Sequence, residues 1–195
     1  MIEAEWHVIF VKHSLPEIVP AVPAKQWKLG EEGGKRCLTL AEALKPYQAD
    51  AIVSSIEPKA VETAELIANG LGLSNQIVAG LHEHQRDNEP FDNNVVHFRE
   101  KVARFFDQPD KLVYGSETAD QAHQRFLDAV TSVVRTYHKR RVIIVAHGTV
   151  ISLLLARANQ FEPFPLWKSL GLPSFAVTTS RFRLLKVVSS VKSDL

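Results

Sequence analysis

Two histidines in this sequence each stand directly after a short run of buried-type residues. His13 follows Val8-Ile9-Phe10-Val11-Lys12, and His147 follows Val142 to Ala146. Short β-branched runs of this kind read as strands covered on both faces. In an open α/β sheet, ligands bind beyond the carboxyl ends of the strands, which is where both imidazoles emerge. His147 leads into Gly148 and a helix start, whose free backbone N–H groups and partial positive charge suit an anion. The first strand also delivers Lys12 beside His13. A third run, Ala51-Ile52-Val53, ends in Ser54-Ser55, with Lys59 opening the next helix. Taken singly, each residue has an ordinary reading: a hydrogen-bonded structural histidine, a solvated lysine. Together and in this order, two histidines and two ammonium groups gather on one rim around a space shaped for an anion.

The elements that must position them alternate between strands and helices. Helical spacing of apolar residues runs from Glu32 to Leu44, from Ala60 to Leu71, from Asn93 to Phe106 and from Thr118 to Tyr137. A further helix is expected from Val150 to about Arg157, and short strands at Gln76 to Ala79 and in two pieces between Ala176 and Val188. Leu15 to Leu29 carries Pro16, Pro20 and Pro23 and reads as a loop anchored by Trp27; Pro163, Pro165 and Pro173 break the stretch before the last strands. The alternation predicts an α/β fold: a three-layer α/β/α sandwich with a mostly parallel central sheet. No repeat or linker divides the chain, so residues 1–195 are expected to form one domain. A small insertion at about 84–113 interrupts the alternation and is the candidate cap.

Composition narrows the function classes. The chain has 195 residues, 45% hydrophobic and 23% charged, with a formal net charge of +1, which gives no electrostatic footprint for nucleic acid or an anionic membrane. No apolar run approaches the roughly 18 residues of a membrane span. Glu3 and Glu5 precede the first apolar run where a signal peptide would be basic, and the single Cys37 allows no internal disulfide. The expected location is the cytoplasm. Cys37 falls on a core-facing helical position and reads as inert packing. Gly30-Glu31-Glu32-Gly33-Gly34-Lys35 fails as a nucleotide phosphate loop: its spacing is wrong, Arg36 stands where Ser or Thr is needed, and no strand precedes it.

With these pieces assembled, the sequence resembles the histidine phosphatase superfamily, which includes the cofactor-dependent phosphoglycerate mutases. Val11-Lys12-His13-Ser14 is similar to the family's opening strand and Arg-His-Gly. Trp27-Lys28-Leu29-Gly30-Glu31-Glu32-Gly33, with Leu40 to Leu44 downstream, resembles its Trp-x-Leu-x-x-x-Gly segment. Ser55-Ile56-Glu57-Pro58-Lys59-Ala60-Val61-Glu62-Thr63-Ala64 resembles Ser-x-x-x-Arg-Ala-x-x-Thr-Ala, and Leu81-His82-Glu83 resembles the Leu-x-Glu that bears the proton donor. Gly115-Ser116-Glu117 is a loose match to Gly-Glu-Ser, and Ala146-His147-Gly148 to the closing Ser-His-Gly. The likeness covers nearly the whole chain. It departs where both phosphate-clamping arginines are lysines, Lys12 and Lys59, and where Ser14 replaces a glycine. Lysine keeps the charge but lacks the planar fork that grips two oxygens. Ser14 adds a Cβ where backbone approaches phosphate.

The resemblance implies a phosphomonoesterase that works through a phosphohistidine on His13. Glu83 would be general acid and then base, with its pKa raised by burial or by phosphate. Protonated His147, Lys12 and Lys59 would hold the phosphate, with no cofactor and no metal. The other ring nitrogen of His13 needs a fixed acceptor, expected to be a backbone carbonyl. Glu89 and Asp87 are nearby rivals to Glu83, and Arg86 and Arg99 are candidate contacts to a second anionic group. The expected partner is a small phosphorylated substrate; oligomeric state is left open. Three other readings stand beside this one: a metallohydrolase built on His82-x-His84, a phosphate-binding or regulatory protein that has lost efficient catalysis, and a phosphomutase, disfavoured by the short cap.

Overall fold

The computed structural model describes residues 6–192. Glu3 and Glu5 lie outside them. A six-stranded sheet forms the middle layer, built from β1 (His7–Lys12), β2 (Ala51–Ser54), β3 (Asn75–Ile77), β4 (Val142–Ala146), β5 (Ser174–Thr179) and β6 (Leu184–Val188) in the order β3-β2-β4-β1-β5-β6. The first four in that order run parallel, and β5 and β6 complete the sheet antiparallel.

Strand alternation builds two cores. Val8 and Phe10 of β1 join Val142 and Ile144 of β4 on one face, while Ile9 and Val11 join Ile143 and Val145 on the other. The first face is covered by α3 (Val95–Asp107), α4 (Ala119–Thr136) and α5 (Gly148–Asn159); the second by α1 (Glu31–Leu44) and α2 (Pro58–Leu71). The three-layer α/β/α sandwich expected from the alternation is the observed fold. The central strands β1 and β4 are apolar through Val8–Val11 and Val142–Ala146 because each face has its own helical layer. Among the described residues, no helix is long and apolar enough to cross a membrane.

Two helices begin earlier than their apolar periodicity shows. Pro58 sits within the first turn of α2, where a missing N–H costs nothing. His147 caps α5, so Gly148 and Thr149 are already helical. The proline-rich stretch after α5 forms a short helix, α6 (Pro163–Ser169), against the expectation that its prolines break it. Pro163 and Pro165 both fall within the first turn, whose amides have no partner inside the helix anyway. In α4, Thr118 closes a reciprocal cap with Gln121, which stops the helix one residue inside its expected start.

The strand ends are in register. Lys12 of β1 lies opposite Ala146 of β4, and Ser54 of β2 opposite Val145. The next residues, His13, His147 and Ser55, therefore leave the sheet side by side. The His13 N–H donates to Ala146 O at 3.0 Å, and the Ser55 N–H to Val145 O at 2.9 Å, extending the ladder by one step. From β1 the chain goes on to α1 on one face, and from β4 to α5 on the other, which opens a crevice between the two strand ends.

Candidate active site

A cavity of about 280 Å³ opens at this crevice, and Lys12, His13, Lys59, Glu83 and His147 all line it. The five residues singled out in the sequence, brought from four separate segments, meet in one place. The opposite wall comes from the 84–113 segment and the α6 region, through Arg86, Asp87, Phe91, Phe98, Tyr114 and Trp167. Helix α3 is fastened to this wall by Phe98, whose ring lies 5.9 Å from that of Trp167.

His13 is buried and its Nδ1 lies 2.7 Å from the Ser14 carbonyl oxygen. A carbonyl can only accept, so Nδ1 carries the proton and donates, which leaves the lone pair on Nε2. Burial, then the nearby His147 and Lys59, hold the His13 pKa well below its ordinary value. The ring is therefore neutral at physiological pH. Ser14 does not crowd the cavity. Its hydroxyl donates to Gly33 O at 2.7 Å and its N–H to Thr63 Oγ1 at 3.0 Å, and a Cβ on Gly33 would come within 2.0 Å of Leu15 O. Ser14 ties the loop after β1 to the starts of α1 and α2. That corrects the expectation that its side chain stands where phosphate approaches.

His147 is fully buried, with Nε2 at 2.8 Å from Ser55 Oγ. Burial and the Lys59 ammonium push its pKa well below the ordinary value. The free protein thus holds His147 neutral; the protonated form expected from the sequence belongs to the phosphate-bound site, where an anion offsets the cost of a buried cation beside Lys59. For Glu83, burial alone does not give the raised pKa that a general acid needs. Burial raises its pKa, but His147, Arg86 and the His84 N–H outweigh burial and hold the carboxyl below its ordinary value. Its Oε1 accepts the His84 N–H at 2.9 Å and its Oε2 the Thr149 N–H at 3.2 Å, at the start of α5. A carboxylate that accepts two backbone N–H bonds is poised as an anion until a second negative group arrives.

Both lysines already have partners in the protein. Lys12 Nζ donates to Leu170 O at 2.7 Å, and burial lowers its pKa to about 8. Lys59 Nζ donates to Ala24 O at 2.7 Å and to the carboxylate of Glu57. Sequence reading passed over Glu57, although it is buried and lines the cavity. Its only sequence signal was a carboxylate two residues before Lys59, of the kind that is usually solvated.

The remaining candidates separate cleanly. Asp87 and Glu89 also line the cavity, but Asp87 pairs with Lys25 at 2.5 Å and Glu89 accepts from Gly115 N at 3.4 Å, and both are less buried than Glu83. Arg86 lines the cavity with its guanidinium 5.1 Å from the Phe98 centroid, whereas Arg99 is exposed and outside it. His84 lies against Phe105, ring centroids 3.9 Å apart, and His82 Nε2 faces Gln85 Nε2 at 3.0 Å. Among the described residues no three His, Cys, Asp or Glu side chains converge as a metal site. Trp27 anchors its loop by donating to Val19 O at 2.9 Å, and it also lines the cavity. Burial pushes the Cys37 thiol up to about 11, which leaves it protonated and inert.

The pattern of the histidine phosphatase superfamily (branch 1) matches residues 22–185. The chain belongs to this superfamily. The match begins beyond His13, so the place of His13 rests on the sheet register and the cavity. In sequence, the chain is 29% identical over 135 residues to the uncharacterized phosphatase PhoE of Bacillus subtilis (strain 168), covering 69% of this chain and 66% of that protein. Among solved structures, mycobacterial hydrolase 2 superposes with a TM-score of 0.77 at 21% identity, over 97% of this chain and 94% of that one. The phosphoserine phosphatase of Entamoeba histolytica, solved with 3-phosphoglyceric acid, does so with a TM-score of 0.72 at 17% identity, over 94% and 97%. As in these structures, the histidine phosphatase fold here is a mostly parallel six-stranded sheet between helical layers.

Proposed function

We propose that this histidine phosphatase family member is a metal-independent phosphomonoesterase in which His13 is the nucleophile. The observation that carries the reading is the His13 Nδ1 bond to the Ser14 carbonyl, inside a cavity that Glu83, His147, Lys12 and Lys59 share. Nε2 attacks phosphorus as the ester oxygen leaves from the opposite side. The P–O bond breaks with its electron pair on the leaving oxygen, which takes a proton from Glu83. A water then attacks the phosphohistidine, Glu83 takes its proton, and the P–N bond returns its electron pair to Nε2. Lys12, Lys59 and His147 carry the charge on the non-bridging oxygens.

Glu83 and His147 must both gain proton affinity for this cycle, and a bound phosphate dianion supplies that by placing negative charge between them. The 84–113 segment acts as the cap over a small phosphorylated substrate. Its aromatic side chains and Arg86 form the wall that a leaving group would meet. The test is a phosphoester panel run with wild type and His13→Ala in the presence of EDTA. Turnover in wild type alone is expected; loss of wild-type turnover with EDTA, restored by a divalent metal, contradicts the metal-independent route.

A second reading, a phosphate-binding protein without efficient catalysis, is favoured by the internal partners of both lysines. Phosphate binding with no His13-dependent turnover of any ester would establish it.

A further inference from the structure

Glu57 is a charged group of the cavity that the reaction above does not use. It is 5% exposed and both of its carboxylate oxygens are engaged. Oε1 accepts the Glu83 backbone N–H at 2.7 Å and lies 3.5 Å from His147 Nε2; Oε2 accepts the Lys59 ammonium. The Glu57 N–H donates to Ser55 Oγ at 3.2 Å, and that oxygen is 2.8 Å from His147 Nε2. A hydroxyl that accepts from Glu57 keeps its own proton to donate, and His147 Nε2 is an acceptor within reach. Neutral His147 then carries its proton on Nδ1, which is buried and without a hydrogen-bond partner. That N–H is a donor for a phosphate oxygen.

We propose that Glu57 is a positioning residue that makes His147 take up a proton when phosphate binds. The inference rests on the phosphate site proposed above. An anion on the Nδ1 side and the Glu57 carboxylate on the Nε2 side enclose the imidazole between two negative groups. One proton from solvent adds to Nε2, the Ser55 hydroxyl turns from donor to acceptor, and His147 becomes an imidazolium with an N–H on each side. The other titratable and charged groups facing it are His13 just after β1, Lys59 from α2, His82 and Glu83 from the loop before the cap, and Arg86 from the cap. Lys59 opposes the uptake, and Glu57 offsets that opposition by pairing with it. In the free protein burial, and after it Lys59, prevails and holds the His147 pKa down.

The test is NMR titration of the His147 ring, assigned with His147→Asn, with and without saturating inorganic phosphate. In wild type, phosphate is expected to raise the His147 midpoint, and calorimetry in buffers of different ionisation enthalpy should show uptake of roughly one proton per phosphate near pH 7. Glu57→Gln keeps an acceptor for the Glu83 N–H but removes the charge. It should lower the midpoint of the phosphate complex by about one pH unit or more, and Glu57→Asp should restore most of that difference. Equal midpoints in wild type and Glu57→Gln would overturn the role of Glu57 alone, leaving it a pin for the Glu83 backbone. No response of wild-type His147 to phosphate and no proton uptake would overturn the proposal together with the phosphate site beneath it.

Discussion

His13 and His147 stand edge to face, their ring centroids 5.2 Å apart and their planes inclined by 60°. The strands before them are hydrogen-bonded neighbours that end in register at Lys12 and Ala146, so the two imidazoles are held together by the sheet itself. Proximity and burial give both the same electrostatic fate: each titrates well below the ordinary 6.5. In the proposed reaction one of them attacks as a neutral ring, and the other becomes a cation beside the bound anion.

This pair makes stability pH-dependent. Below about 6.5 the unfolded chain binds protons that the folded chain refuses, so stability is fully present above that value and is lost as pH falls toward the depressed folded pKa values. The melting temperature is expected to drop between pH 7.5 and pH 5, and to drop less in His13→Asn. Inorganic phosphate should oppose the drop by favouring protonated His147. A melting temperature that does not fall toward pH 5, or an equal fall in His13→Asn, contradicts the two neutral imidazoles.

Glu83 should matter in proportion to how badly the leaving group needs a proton. Glu83→Gln keeps the shape and one acceptor oxygen for the His84 or Thr149 N–H but cannot donate a proton to the leaving group. With an alkyl phosphate, kcat is expected to fall by about 10²–10⁴-fold, and with p-nitrophenyl phosphate, whose phenolate leaves unaided, by far less in the first step. A uniform loss across leaving groups would assign Glu83 to holding the site and not to protonation.

Burial of Lys12 carries a cost in stability. Burial lowers its pKa from 10.5 to about 8, so at neutral pH the folded state carries a cation it would otherwise shed, and this penalty disappears only as pH rises toward 10.5. Lys12→Met, which also leaves Leu170 O without its donor, is expected to stabilise the protein at pH 7 by about 1–2 kcal/mol. Phosphate affinity should fall at least about tenfold, the equivalent of one lost charge-assisted contact. Denaturant melts and phosphate titrations check both halves; loss of stability with unchanged phosphate binding would place Lys12 in the scaffold alone.

Much of the fold was legible because strands buried on both faces leave an unmistakable trace: Val8–Val11 and Val142–Val145 are apolar at every position. Lys12, His13 and His147 were candidates because strand ends are where an α/β sheet presents side chains, and Lys59 because it opens the helix after one; Glu83 was a candidate only through the resemblance. α6 was hidden because Pro163 and Pro165 read as breakers unless the helix start is known. Glu57 was hidden because its role is made by three partners, Glu83, Lys59 and His147, that are distant in sequence or unremarkable beside it. The charge states of His147 and Glu83 in the free protein were not legible, because a sequence shows which groups can titrate but not the balance of burial against neighbouring charge.

The central claim is that phosphate passes through His13 Nε2, and a trapped intermediate tests it most directly. Wild type, mixed rapidly with a labelled phosphoester and quenched with alkali during turnover, should yield protein-bound phosphate that survives base and is released by mild acid. The label should map to the peptide that contains His13 and be absent in His13→Ala. Steady turnover with no label on that peptide, or undiminished turnover in His13→Ala, would contradict the account.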